Sequence, residues 1–99
     1  MNITIDNEIL NEALKKWGVP PQILMVIEEL SELSQALCKS FRKADMNETA
    51  IIEEMADVYI MLEQLKIIFK NIYIVSEFDK QLQNNINYKL DRLKQIVYN

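Results

Sequence analysis

Residues 50–70 read AIIEEMADVYIMLEQLKIIFK, a stretch with neither Gly nor Pro. At 3.6 residues per turn, Ile51, Val58, Met61, Leu62, Leu65 and Ile68 fall on one side of a helix. Glu54 and Asp57, three residues apart, fall on that same side. Glu53 sits at its edge. A second apolar strip, Ile52, Ala56, Tyr59, Ile60 and Ile67, runs along the opposite side. A helix that is apolar on two sides is expected to be covered on two sides. Asp45, Asn47 and Thr49 are each competent N-caps for this helix, and Asn71 is its expected stop.

The neighbouring segments read as helices too. The first helix is expected from about Asp6 to Lys16, ending at Gly18 as a C′ residue. Pro20 and Pro21 then suit the first turn of a second helix, which ends near Lys43. Its stripe is Ile23, Val26, Leu30, Leu33, Leu37 and Phe41. Ser76 and Asp79 have the spacing of a capping box for a fourth helix. That helix carries Val75, Phe78, Leu82, Ile86, Leu90, Leu93 and Val97. One Gly and two Pro in 99 residues agree with an all-α chain. Short connections favour antiparallel neighbours, so the expected fold is an antiparallel bundle of about four helices in one domain, residues 1–99.

Composition removes whole classes of chemistry. The net charge is −4, which provides no footprint for a nucleic-acid polymer. A single Cys38 excludes an internal disulfide framework and a cysteine zinc site. The chain has no His, so Ser-His and Cys-His catalysis and His-ligated metals are excluded. The start, MNITIDNEIL, lacks the pattern of a secretory signal, and no apolar run approaches the ~20 residues of a membrane span. The expected setting is the cytoplasm.

What remains is carboxylate chemistry. On the second helix Glu28, Glu29 and Glu32 fall within roughly 100° of arc, bordering the apolar stripe. Glu29 and Glu32 repeat the three-residue step of Glu54 and Asp57. Acid pairs at this spacing are often solvated surface. Lodged beside core positions on two successive helices, however, they would repel one another, and bare carboxylates are costly to bury. The interior faces offer no Arg to neutralise them. A divalent cation does so, and Mg²⁺ favours such an all-oxygen set. The expected metal ligands are therefore Glu29, Glu32, Glu54 and Asp57. A di-iron bundle is set aside because it pairs Glu with a His three residues on.

The order Glu28-Glu29-Leu30-Ser31-Glu32, then Glu54-Met55-Ala56-Asp57, resembles the EExxE…ExxD signature of MazG-like nucleotide pyrophosphohydrolases. Trp17-Gly18, Gln22, the run IEELSELSQAL, Lys39 and the stretch EEMADVYIMLEQL extend the resemblance over most of the chain, from about residue 15. It implies an enzyme that hydrolyses nucleoside triphosphates, NTP or dNTP, to the monophosphate and pyrophosphate. It also implies Mg²⁺ as cofactor, with Mn²⁺ as a substitute, and a homodimer or homotetramer. Glu28, matching the first acid of the motif, is implied as a further catalytic residue, either ligand or water-orienting base.

Three basic residues are candidates for the substrate phosphates. Lys89 falls within the apolar stripe of the fourth helix, beside Arg92. It either snorkels from the core edge or reaches a phosphate. Lys39, with Arg42 nearby, either caps the end of the second helix or does the same. Trp17 is expected in a core or an interface. The rival function is a non-catalytic helical oligomerisation or adaptor module, which has no need of inward acids.

Overall fold

A computed structural model describes residues 2–99. They form four α-helices: α1 (Asn7–Trp17), α2 (Val19–Arg42), α3 (Glu48–Ile67) and α4 (Phe78–Val97). There is no strand among the described residues. No helix among them is long and apolar enough to cross a membrane. Two compact units divide the chain, one ending at Ile68 and the other beginning at Phe69.

Local chemistry sets most boundaries. The Asp6 carboxylate accepts from the Glu8 N–H at 3.0 Å and opens α1. Gly18 closes it with φ +83°, a left-handed value that an L side chain resists. Pro20 and Pro21 lie in the first turn of α2, where a missing N–H costs nothing. Among the three N-caps open to α3, Asn47 is the one used: its side chain accepts from the Ala50 N–H at 3.1 Å.

In the first unit α2 and α3 form an antiparallel hairpin, with α1 packed on both. As residue numbers rise along α2, their partners on α3 fall, from Gln22 opposite Gln64 to Ser40 beside Asn47. The core holds Leu10, Leu14, Val26, Val58, Ile67 and Ile68. A polar tie crosses it: the Gln64 amide, fully buried, donates to the Leu10 carbonyl at 3.0 Å and to Gln22 Oε1 at 2.8 Å. One side chain of α3 thereby fastens both α1 and α2.

The buried face of α2 is rotated from the expected stripe. Ile23, Val26 and Leu33 of that stripe are buried or half-buried, but Leu30, Leu37 and Phe41 are exposed, whereas Gln22 and Ser40 are buried and Glu29 and Ala36 are half-buried. Two causes act. The α1 helix is too short to cover the outer side of α2, which is about 36 Å long at 1.5 Å per residue. The seam against α3 also takes the face whose polar residues find partners there. In α3 the inward side is as expected at Ile51, Val58, Met61, Leu65 and Ile68, but Leu62 is exposed. On the opposite strip Ile52, Ala56, Tyr59 and Ile60 are exposed, while Ile67 belongs to the core. Trp17 is 55% exposed within this chain, so it is not a core residue.

In the second unit the helical path of α3 runs on as a wider π-type turn, Ile68–Ile72, past the expected stop at Asn71. Phe69 stacks on Phe78 and its carbonyl accepts from the Val75 N–H at 2.9 Å. The expected Ser76–Asp79 capping box does not form. Glu77, with φ +52°, occupies the cap position without a side-chain bond, and Asp79 instead pairs with Lys70. The α4 helix buries none of its residues.

Candidate metal centre

The hairpin seam is lined by polar pairs, and they divide into two kinds. At its ends the pairs are joined by hydrogen bonds, Gln22 with Gln64 and Ser40 with Asn47, although Gln64 Oε1 is itself buried without a partner among the described residues. Between them lie four acids. Glu29 and Glu32 of α2 face Glu54 and Asp57 of α3, and one carboxylate oxygen from each falls within 4.8 Å of all the others. Both expected three-residue steps thus converge. Glu29 and Glu54 are half-buried, while Glu32 and Asp57 are exposed. The site is therefore closed on its core side and open to solvent on the other.

Its electrostatics are unfavourable as it stands. Burial, then the charges of Asp57 and Glu32, push the Glu29 carboxyl from its ordinary 4.5 to about 7. Burial, then the charges of Glu32 and Asp57, raise Glu54 as well. The outer oxygens of Glu29 and Glu54, each Oε2, are buried with no hydrogen-bond partner among the described residues. Unpartnered buried oxygens on adjacent carboxylates are costly unless a proton or a cation sits between them. Four oxygens this close form a donor set suited to a hard divalent cation. The residues present therefore fit a magnesium-type ion, held by Glu29, Glu32, Glu54 and Asp57.

The other expected site residues lie outside this group of four, Glu28 among them, and Glu28 is exposed. Glu53 is exposed as well. Lys89 and Arg92 lie on α4 in the second unit, both exposed, with the Arg92 guanidinium 5.9 Å from the Tyr88 ring centre. Lys39 and Arg42 line a cavity of about 690 Å³ at the α2–α3 turn, and Glu32 and Glu54 line it too.

Sequence reading missed two participants. Lys43 is a third cation on that cavity. Its spacing of four from Lys39 was the available signal. Ser40 is buried at 3% exposure and organises the turn: its hydroxyl accepts from the Asn47 N–H at 3.2 Å and its carbonyl from the Asp45 N–H at 3.1 Å. A serine between two basic residues gives no such signal before the hairpin is closed. In comparisons with known protein families, curated proteins and solved structures, this chain matches none.

Proposed function

We propose that this chain is a Mg²⁺-dependent nucleoside triphosphate pyrophosphohydrolase of the MazG-like kind. The observation that carries the reading is the like-charge centre of the α2–α3 seam, where two of four converging carboxylates keep a buried oxygen without a partner. A hairpin built only for packing would fill those positions with apolar or paired residues. An ion held by Glu29, Glu32, Glu54 and Asp57 would supply the charge that polarises phosphate oxygens and acidifies a water molecule.

The reaction needs little else from the chain. A water oxygen attacks the α-phosphorus, the bond from that phosphorus to the α–β bridging oxygen breaks, and pyrophosphate leaves with the bridging oxygen. The water proton passes to a carboxylate, since the chain has no His to accept it. Glu28, exposed and adjacent to Glu29, suits the orientation of that water better than ligation. The test is a panel of NTPs and dNTPs incubated with Mg²⁺ and assayed for pyrophosphate. Monophosphate and pyrophosphate in equal amounts are expected from at least one base. Release of orthophosphate and a nucleoside diphosphate, or no turnover on any base, refutes the reading.

Assembly belongs to the same proposal. Ile52, Tyr59 and Ile60 on α3 and Leu24, Ile27 and Leu30 on α2 are all exposed in the single chain. Apolar surface of that extent is normally covered by a partner. A homodimer, or a tetramer built from dimers, is expected by light scattering at micromolar concentration, and a strictly monomeric mass refutes it. The non-catalytic adaptor reading draws on this same surface but leaves the four converging acids without a purpose.

A further inference from the structure

Within the first compact unit, the cavity at the α2–α3 turn brings two of the clustered acids together with positive charge that has no ion-pair partner. In that unit Lys15 and Lys66 are each paired with a carboxylate, of Glu12 and Glu63 respectively. Lys39, Arg42 and Lys43 line the cavity, and none of them is ion-paired to a described residue, although Asp45 lines it with them. In a chain of net charge −4, the three cations balance the three carboxylates that line the same cavity, Glu32, Asp45 and Glu54, and make it less acidic than the molecule as a whole. The turn that carries them is held in shape. Ser40 binds it twice, and the Lys39 carbonyl accepts from the Lys43 N–H at 3.2 Å.

The cavity also has a direction. Of the four clustered acids, Glu32 and Glu54 line it, and Glu29 and Asp57 do not. A ligand in the cavity thus meets the metal centre from the turn side. No aromatic residue lines the cavity, so it offers a nucleobase no stacking surface. Its volume of about 690 Å³ is ample for a small polyanion.

We infer that this cavity receives the pyrophosphate end of a nucleoside triphosphate, gripped by Lys39, Arg42 and Lys43, with the nucleoside directed away from the turn. The inference rests on the hydrolase reading above and adds to it the polarity of the bound substrate. A pyrophosphate group beside these carboxylates carries more negative charge than one divalent ion neutralises, and the three cations offset part of the remainder. The guanidinium of Arg42 can bind two phosphate oxygens at once, while Lys39 and Lys43 act as point charges. After the bond to the α-phosphorus breaks, pyrophosphate is left in the cavity and departs through its open side.

The test is calorimetric titration of magnesium pyrophosphate into the intact chain, which reads binding without turnover. A Lys39→Met, Arg42→Gln, Lys43→Met variant is expected to bind pyrophosphate at least ~30-fold more weakly, the scale set by losing charge-assisted hydrogen bonds. Its Mg²⁺ affinity without pyrophosphate should stay equal or rise. A charge-conserving Lys39→Arg, Lys43→Arg variant should bind pyrophosphate within a few-fold of the natural chain, which separates charge from fold. Undiminished pyrophosphate binding by the charge-removing variant overturns the inference, as does equal loss in the charge-conserving one. If the natural chain hydrolyses nucleotides while the charge-removing variant keeps its pyrophosphate affinity, this inference alone fails. If that variant loses pyrophosphate binding but the natural chain hydrolyses no nucleotide, the hydrolase reading fails and an anion site remains.

Discussion

Glu54→Gln is expected to lower pyrophosphate release by about three powers of ten or more, since a metal centre contributes several kcal/mol to such a transition state. Glu54 is one of the two acids whose outer oxygen is buried without a partner. The amide keeps its size and shape and removes one negative charge from the set of four. Asp57→Asn, from the exposed side of the cluster, is expected to act in the same direction. Neither change should unfold the chain. In the absence of metal the variants should melt at a higher temperature than the natural chain, because mutual repulsion among the acids is relieved. Steady-state pyrophosphate release and metal-free thermal melts measure the two effects. Near-normal turnover by either variant removes that residue from the ligand set. A lower metal-free melting temperature shows that the side chain serves the fold instead.

The second large effect is a reversal of the pH dependence of stability by Mg²⁺. Glu29 has its carboxyl raised from 4.5 to about 7 in the folded chain, and Glu54 is shifted the same way. Below pH 4.5 both the folded and the unfolded chain hold the proton, and nothing is lost. Between about 4.5 and 7 the unfolded chain gives up its proton first, so stability falls as pH rises. Above about 7 the loss is complete. Metal-free thermal melts should therefore show a melting temperature that declines from pH 5 to pH 8. On the proposed reading Mg²⁺ would bind the ionised carboxylates of the folded chain alone, so its effect should grow over that same range. At a concentration of 100 times Kd the gain is about 2.7 kcal/mol, or about 10 °C for a chain of this size. A melting temperature indifferent to Mg²⁺ at pH 8 would refute the metal centre. A metal-free optimum above pH 7 would refute the shared burial of the acids.

The helices, with their starts at Asp6 and Pro20-Pro21 and the stop at Gly18, were legible in the sequence because those signals act within one turn of backbone. The convergence of the four acids was legible for a related reason. Two three-residue steps on two helices fix which side chains share a face, and a short connection makes those helices neighbours. The Ser76–Asp79 spacing marks only a local opportunity for a cap, and in the folded chain the cap position falls one residue later, on Glu77.

By its own periodicity the sequence determined an all-helical chain and the four acids that converge. Which face of α2 turns inward was left to the tertiary structure. A helical wheel weights the largest apolar side chains, and on α2 those include Leu30, Leu37 and Phe41, which remain exposed. The seam is decided by what α3 presents in return. Gln64 donates to Gln22 and the Asn47 N–H to Ser40, so the polar face of α2 finds partners at both ends of the seam, with only Gln64 Oε1 left over there, and it carries Glu29 inward with it. The turn cavity arises the same way. Lys39, Arg42 and Lys43 are merely the basic end of a helix until the closing hairpin brings Glu54 of α3 to the cavity they line.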